Sequence, residues 1–529
     1  MHAVCKSMGY LLGFVDDFQL DMDGIKFTGP RNLTKLTALT GVGILAGYMY
    51  YLYRRKGKLS IPGPKGYPFV GNAFQMQADK PHLTLSEWAE EYGDIMKINL
   101  FGEEIVVVNS YEGITEMLVT KSVDFAARPF VFRVSCLQDD DGVAFGLFNQ
   151  KWSVMKKCSM TGIKQVGDQL TELEATIIVY MDDFLSTLSS YGSSGRKVDL
   201  LCDIEAVISC ITFTLVYGHR INPEEQDGYM ALHNYLNEKM GPTADNVELD
   251  VFPWLRAPWY GKYRELQKIA KRSRSFHRPH LAQTMQCHRV GQLTCALDGL
   301  INEMKQPSSD KFTPVSFGNI QAVALDLLQA GIATTVATLY YFIALMAVYP
   351  EYQQEAYENV IDAIGHRQSG LKDRFAIPYV ESMILEITRY QSAVPFSLPH
   401  ATTVDTSLCG YKVPKGTQIL PNLWYLHHDS KVWSNPWEFI PSRFLDSEGR
   451  LVTADNYLRR HLYTFGAGRR VCVGESMAKN RLFLFITTLL QRFKFTVPEN
   501  EIIDTDPKDF KLGITLQTRR FKVYVEPRT

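Results

Sequence analysis

The chain has 529 residues, a formal net charge of −1 and no excess of basic residues. Such a balance excludes nucleic acid as a partner, because binding to phosphates needs a strongly basic surface. Nine cysteines are scattered without framework spacing, which excludes a disulfide scaffold and indicates a reducing compartment. No linker, repeat or low-complexity tract follows residue 70, so one large domain is expected.

Near the N-terminus, residues 36–53 are almost uncharged and predict a transmembrane helix. At 1.5 Å per residue they would span roughly 27 Å, about the thickness of a bilayer core. A basic run follows directly: Arg54, Arg55, Lys56 and Lys58. The positive-inside rule then places the rest of the chain in the cytosol. The alternative is a buried helix of the domain. Residues 1–35 form an extension of unknown role that carries a glycosylation sequon at Asn32.

Residues 54–70 are predicted to be a basic, proline-rich hinge, since prolines stiffen the backbone and block helices. The large domain is then expected over residues 71–529. Its sequence predicts a mainly α fold with small β-sheets. A hairpin is expected over 94–108, and short strands over 410–413, 419–422 and as a pair within 510–525.

The longest helical pattern covers residues 316–349 and is apolar on nearly every face, so it should cross the core. Its centre reads Ala330-Gly331-Ile332-Ala333-Thr334-Thr335. A mid-helix glycine costs about 1 kcal/mol relative to alanine, which suggests that a ligand comes close to the backbone here. Threonine hydroxyls can bond helix carbonyls and can relay protons.

A glycine-rich loop with one cysteine runs from Phe465 to Gly474 and precedes an apolar helix at about 477–493. Glycines allow a sharp turn and the close approach of a flat ligand. The amide donors and partial positive charge of the helix N-terminus are expected to favour a thiolate at Cys472, and the nearby Arg470 adds a cation that can hold a carboxylate. A lone thiolate held in this way suits the axial position of haem iron. A buried cysteine in a glycine turn is the alternative.

Phe465, Gly468, Arg470, Cys472 and Gly474 match the signature Phe-x-x-Gly-x-Arg-x-Cys-x-Gly, and at these residues the chain resembles the cytochrome P450 superfamily of haem-thiolate monooxygenases. The resemblance covers about residue 61 to the end and implies the P450 fold. It implies haem b as cofactor, with Cys472 as the iron ligand and Arg470 paired with a propionate. Further propionate contacts are implied for Arg128, Trp152, Lys156 and His400, although Lys156 stands where arginine is usual.

The centre of the long helix resembles the family motif Ala/Gly-Gly-x-Asp/Glu-Thr-Thr/Ser. Gly331 and Thr334 match it, but Ala333 occupies the position of the acid. In the family the acid and the threonine deliver protons during oxygen activation. The missing carboxylate puts efficient oxygen activation in question, and a water chain through Thr334 is the implied substitute.

Other segments resemble structural and pocket elements of the family. Glu386 and Arg389 match its Glu-x-x-Arg motif, and Arg443 matches the arginine that completes a buried charge triad. The expected pocket residues are Ala330, Val394, Phe396 and Ile514. The paired His427 and His428 are expected to be structural.

The resemblance implies a monooxygenase that inserts one oxygen atom into a lipophilic, steroid-like or aromatic substrate. The group it resembles contains animal microsomal steroid 17-hydroxylases and aryl-hydrocarbon and drug-metabolising enzymes. Its implied partners are NADPH-cytochrome P450 reductase, cytochrome b5 and membrane lipid, at the endoplasmic reticulum with the domain in the cytosol. A basic face is expected for the reductase, from Lys156, Lys157, Arg469 and Lys479.

Two alternatives keep the haem. One is an isomerase or dehydratase that acts on a peroxide or aldoxime without dioxygen, which Ala333 would allow. The other is a haem-binding protein without catalysis. Turnover of NADPH discriminates among the three functions.

Overall fold

The structure is a computed structural model that describes residues 59–138, 141–168, 170–308 and 314–528. The predicted anchor, the N-terminal extension and the start of the hinge lie outside these residues. The first half of the chain forms α1 (Pro81–Tyr92), α2 (Tyr111–Thr115), α3 (Phe132–Leu137), α4 (Gln150–Asp168), α5 (Leu170–Ser194), α6 (Leu201–Tyr217), α7 (Pro223–Met240) and α8 (Glu248–Val251). The second half forms α9 (Gly261–Cys287), α10 (Asp298–Lys305), α11 (Phe317–Val348), α12 (Pro350–Ile364), α13 (Pro378–Gln391), α14 (Leu423–His428), α15 (Tyr457–Arg460) and α16 (Glu475–Arg492).

The strands form small sheets, as the sequence predicts. They are β1 (Ile95–Leu100), β2 (Glu103–Val108), β3 (His400–Ala401), β4 (Thr406–Leu408), β5 (Tyr411–Val413), β6 (Gln418–Pro421), β7 (Phe493–Thr496), β8 (Lys511–Leu512), β9 (Leu516–Gln517) and β10 (Tyr524–Pro527). The four-stranded sheet has the order β1-β2-β6-β3, with β2 and β6 parallel. The pair expected within 510–525 is divided: β8 pairs with β9, but β10 pairs with β7.

Helix α11 is the central element of the fold. A capping box at its start joins Ser316 and Asn319, where the Ser316 side chain accepts from the Asn319 amide. Its apolar faces pack against α6, α13 and α16. It is the one helix of the described chain that is long and apolar enough to cross a membrane, but 83% of its apolar window is buried inside the fold. It is therefore a core helix.

The described part of the predicted hinge packs on the domain. Leu59 and Ile61 are buried in the core beneath the four-stranded sheet. The Leu59 amide donates to Glu104 at 2.9 Å, and the Lys97 amide donates to the Pro62 carbonyl at 2.8 Å. Residues 59–70 therefore belong to the packed body and hold the chain at the edge strand β1.

Candidate active site

The cysteine loop is closed by its own backbone. The Cys472 amide donates to the Phe465 carbonyl at 3.0 Å, and a 3-10 turn occupies Gly468–Arg470. Gly474 lies at the N-cap of α16. The loop thus brings the two ends of the predicted motif together and places Cys472 just before the helix.

Two glycines of this loop have left-handed backbones but different surroundings. Gly466 has φ +67° and nothing within 4 Å of the position where a Cβ would lie. At Gly468, with φ +66°, a Cβ would lie 1.7 Å from the Leu118 carbonyl oxygen. The motif therefore needs glycine at 468 for space as well as for conformation.

We expect Gly468→Ala to displace the loop, because a backbone carbonyl cannot yield to the new methyl group. Gly466→Ala is the matched control and should cost only the strain of the left-handed conformation, about 1–2 kcal/mol. Haem content after purification and the urea midpoint of unfolding measure the two effects. Equal losses in the two variants would contradict the packing argument.

The Cys472 side chain is surrounded by protein, but part of its surface is still accessible. A side chain on the wall of an internal cavity has this combination. Burial raises the pKa of its thiol, although the Gly474 amide and the Lys156 and Lys479 cations oppose the rise. This corrects the expectation that the helix N-terminus favours a thiolate, since desolvation is the larger effect. Coordination to a metal ion would supply the missing stabilisation of the thiolate.

Arg470 lies against Trp152, with its guanidinium carbon 4.0 Å from the ring centroid. The Trp152 indole donates to the Val143 carbonyl at 3.0 Å. The Arg470 nitrogens donate to backbone carbonyls at 2.8, 3.1 and 2.7 Å, those of Ala126, Val143 and Gly146. Both side chains therefore hold the segment that precedes α4.

Two further cations lie beside Arg470. Arg128 donates to the carbonyls of Ala144, Leu398 and Pro399, and Lys156 donates to the Arg469 carbonyl. Burial lowers the pKa of Arg128 well below its usual range and that of Arg470 to about 10. Burial, and then repulsion from Arg470 and Arg128, lowers the pKa of Lys156 to about 8. Among the described residues, no carboxylate is in ion-pair contact with any of the three.

His400 lies close enough to Arg128 and Arg470 to feel their charges. Its Nδ1 lies 2.8 Å from the Phe125 carbonyl, so Nδ1 carries the proton and Nε2 is left as an acceptor. Burial lowers the pKa of His400 well below its usual range, and Arg128 lowers it further. The ring is therefore neutral and must gain a proton before Nε2 can donate to a carboxylate.

These residues fit haem b. Buried Lys156 and half-buried Arg128 and Arg470 form a group of cations whose bonding partners are carbonyls, so a dianionic ligand would lower its electrostatic energy. Cys472 offers a sulfur ligand next to that group, since its charge raises the pKa of Lys156. The donor set is thus one soft sulfur atom and several cations whose charge suits carboxylates.

The central turn of α11 opens toward accessible space in the middle of the core helix. Ala330 is exposed and Gly331 and Thr334 are half-buried, whereas Ala333 is buried. The Thr334 hydroxyl donates to the Ala330 carbonyl at 2.8 Å, and the Thr335 hydroxyl donates to that of Gly331 at 2.9 Å. Two adjacent threonines therefore bond back to the helix in the same turn.

The expected pocket residues Val394 and Phe396 are half-buried in the loop after α13. Ser397 in the same loop has φ +53°, a left-handed backbone. Ile514 lies in the β8–β9 turn, which is joined to this loop by a bond of 2.8 Å from the Leu516 amide to the Ala393 carbonyl. The structure thus brings the C-terminal turn to the pocket loop.

Glu386, Arg389 and Arg443 form a buried triad with side-chain exposures of 0%, 0% and 4%. Arg389 makes two bonds of 2.8 Å to the two Glu386 oxygens, and Arg443 Nε lies 3.0 Å from each of them. Arg389 also donates to the His427 carbonyl at 2.8 Å.

His427 links the triad to the cysteine loop, a role that the sequence did not predict. Its Nε2 accepts from the Tyr463 amide at 3.1 Å, just before Phe465, and its Nδ1 lies 2.6 Å from the Ser392 hydroxyl. Burial lowers the pKa of His427 to about 3, so the ring is neutral. The histidine thus ties the start of the cysteine loop to the start of the pocket loop.

Asp326 is a second group that sequence reasoning missed. Its carboxylate accepts from the Val143 and Ala144 amides at 2.8 and 2.9 Å and from the Gln138 side chain at 2.8 Å. Burial raises its pKa to about 6. It is the only charged residue between 317 and 348. A lone charge in an otherwise apolar helix is the feature of the sequence that could have drawn attention to it. It ties α11 to the segment that Arg128 and Arg470 hold from the other side.

Comparison with known proteins identifies the family to which this chain belongs. The sequence model of the cytochrome P450 family matches residues 61–525. Cytochrome P450 1A1 of Canis lupus familiaris is 30% identical over 476 residues, covering 88% of this chain and 89% of the relative. Cytochrome P450 1A1 of Homo sapiens is 29% identical over 467 residues (85% and 90%), and Cytochrome P450 1A5 of Gallus gallus is 27% identical over 464 residues (85% and 87%). The chain therefore belongs to the cytochrome P450 family and is a monooxygenase whose cofactor is thiolate-ligated haem b.

Proposed function

We propose that this protein is a membrane-anchored monooxygenase of lipophilic substrates and that the Cys472 thiolate would hold its haem iron. One observation carries the assignment of the ligand: an enclosed but accessible thiol next to a group of cations that have no carboxylate in ion-pair contact within the described part of the chain. One atom of dioxygen enters the substrate and the other leaves as water, with two electrons and two protons consumed.

Haem, when bound, supplies the iron at which dioxygen is reduced. Cys472 would hold the iron, and Arg128, Lys156 and Arg470 would attract the propionates. Lys156 and Arg470 already bond the backbone, so each would share its donors between a carbonyl and a propionate. His400 would bind a propionate as the imidazolium, because a nearby carboxylate raises the pKa of the ring. Trp152 would act by holding Arg470.

Thr334 is the proposed proton donor group at the α11 turn. Its hydroxyl donates to the Ala330 carbonyl, and rotation about its χ1 angle would release that bond and present the proton to the cavity. Since Ala333 offers no carboxylate, water must bring the next proton to this hydroxyl. The half-buried position of Thr334 gives water that access.

The proposed substrate is lipophilic, either steroid-like or aromatic. The four expected pocket residues, Ala330, Val394, Phe396 and Ile514, carry no hydrogen-bonding side chain. Burial of an apolar ligand against them would supply binding energy through the hydrophobic effect rather than through fixed polar contacts. Phe396 can stack on an aromatic ring.

The proposed electron donor is NADPH-cytochrome P450 reductase, with cytochrome b5 as an additional partner. Lys157 and Arg469 are exposed beside the cysteine loop and suit an acidic partner. Lys156 is buried and Lys479 pairs with Glu475 at 2.5 Å, which corrects the expectation that all four residues form one free basic face. We place the protein in the endoplasmic reticulum membrane with the domain in the cytosol, on the strength of the 36–53 segment and the basic run after it.

Consumption of NADPH and oxygen by the purified protein with the reductase tests the proposal. A panel of steroids and aromatic lipophiles is supplied, and product and hydrogen peroxide are measured. Product that forms in step with NADPH supports it. Turnover of a peroxide or aldoxime without oxygen would favour the isomerase or dehydratase, and the absence of any turnover would favour a haem-binding protein without catalysis.

Ala333→Asp is expected to raise the fraction of NADPH electrons recovered in product by about threefold. This is small beside the rate enhancement that a well-positioned acid or base contributes to catalysis. A carboxylate one residue before Thr334 would shorten the proton path. Ala333→Asn is the matched control, because it has nearly the same size and cannot ionise. Peroxide and product are measured per NADPH. An unchanged ratio in Ala333→Asp would mean that protons reach the site independently of position 333.

A further inference from the structure

Arg481 is a buried cation on α16, the helix that begins beside the cysteine loop. It is 2% exposed. Its Nη1 donates to the Thr212 hydroxyl on α6 at 2.7 Å, and its Nη2 lies 3.1 Å from the Gly331 carbonyl and 3.2 Å from the Thr335 hydroxyl on α11. A single guanidinium therefore joins three helices at the turn that carries Thr334.

No carboxylate balances this charge among the residues that the structure describes. The Arg481 partners are two hydroxyls and one carbonyl, and its Nε has no partner in the described part of the chain. Burial alone lowers the pKa of Arg481 to about 10, so it remains charged at neutral pH. A buried cation without an anion costs stability, and an apolar side chain of similar volume is often neutral or stabilising in such a place. Stability alone therefore does not account for Arg481.

The contacts of Arg481 act on the shape of the α11 turn. The Gly331 carbonyl accepts from Arg481 and also from the Thr335 hydroxyl, so it is drawn to two donors outside the regular helix ladder. A Cβ on Gly331 would lie 3.1 Å from the Thr212 methyl group and 3.6 Å from Arg481 Nη2, which shows how closely the three elements meet. Residues 331 and 335 lie on one helix face, and residues 330 and 334 on the adjacent one.

We propose that Arg481 is a positioning residue for proton delivery. It holds the Gly331–Thr335 face of α11 at a set distance from the start of α16, and thereby sets where the Thr334 hydroxyl lies relative to Cys472. The inference rests on the proposed roles of Thr334 and Cys472. In this role Arg481 contacts neither the substrate nor the cofactor. It acts on Thr334 through the backbone of the α11 turn.

Arg481→Met tests the inference. We expect the fraction of NADPH electrons recovered in product to fall by about fivefold, within the range by which remote residues modulate a coupled site. Peroxide should rise in compensation. The thermal unfolding midpoint should stay the same or rise, because the variant removes a buried charge. The red-shifted Soret band of the reduced carbonyl complex should be unchanged, since Cys472 is untouched. Loss of product with unchanged or higher stability is a combination that a purely structural role does not give.

Three further variants sharpen the outcome. Thr212→Val removes the Arg481 contact with α6 and leaves those with α11, so it should leave the product fraction unchanged. Thr335→Val removes an α11 contact and should lower the fraction. Arg481→Lys keeps the charge but has a single donor nitrogen in place of the guanidinium fork, so its product fraction should lie between those of Arg481→Met and the unmodified protein.

An unchanged product fraction in Arg481→Met, with an intact carbonyl band, would overturn the inference while leaving the proposed function standing. Loss of the carbonyl band in Arg481→Met alone would also overturn it, because Arg481 would then support the cysteine loop. Absence of that band in the unmodified protein would instead overturn the proposed role of Cys472.

Discussion

Cys472→Ser is expected to abolish the red-shifted Soret band of the reduced carbonyl complex, together with monooxygenase activity. A serine hydroxyl ionises far above neutral pH and donates less electron density to iron than a thiolate does, so cleavage of the oxygen–oxygen bond loses its driving group. Loss of outer-shell partners of a metal ligand costs about 10- to 100-fold, and loss of the ligand itself should cost more. Difference spectra and product formation with the reductase measure the two effects.

The control for this variant is Cys202→Ser, which makes the same chemical change at an exposed cysteine on α6. It should leave the spectrum and the activity as they are. A thiolate-type carbonyl band that persists in Cys472→Ser would contradict the assignment of Cys472 and the propionate assignments built around it. Haem content should be measured in both variants, because the buried cations give the propionates a binding energy that does not depend on the sulfur.

Glu386→Gln is expected to cause a large loss of stability. Glu386 accepts from Arg389, Arg443 and the Ile440 amide, and its side chain is fully buried. Removal of its charge leaves two guanidinium groups buried without an anion. Breaking a buried ion pair in this way typically costs about 3–5 kcal/mol, and whole domains are stable by only about 5–15 kcal/mol. The urea midpoint of unfolding and the yield of soluble protein report the loss.

Glu448→Gln is the matched control for the triad. Glu448 pairs with Arg450 at 2.7 Å, but both side chains are largely exposed, so the change should cost less than about 1 kcal/mol. A loss in Glu386→Gln no greater than that of the control would contradict the structural role of the triad. We expect haem loss in Glu386→Gln before global unfolding, because Arg389 and His427 connect the triad to the start of the cysteine loop.

The sequence by itself determined the elements whose information is local. The loop from Phe465 to Gly474 is a contiguous motif, and its glycines, its cysteine and the following helix could be read from spacing alone. The predicted pattern over 316–349 agrees with α11 to within one residue at each end, because an apolar segment of that length has only one stable arrangement in a core. The hairpin of β1 and β2 was predicted for the same reason, since alternation and a turn lie in one short stretch.

Only the tertiary structure decided which distant groups meet. Asp326 is the single charge of α11, and Arg481 lies where α16 becomes apolar. Nothing in their neighbourhoods along the chain tells that one binds the Val143 amide and the other the Gly331 carbonyl. The pKa of Cys472 followed the same rule: the local features favoured a thiolate, but burial by the rest of the fold raises it. Lys156 was expected both at the propionates and on the basic face, and only the packing shows that it is buried. Local periodicity specifies helices and turns, whereas desolvation and long-range hydrogen bonds depend on the packing of segments that are hundreds of residues apart.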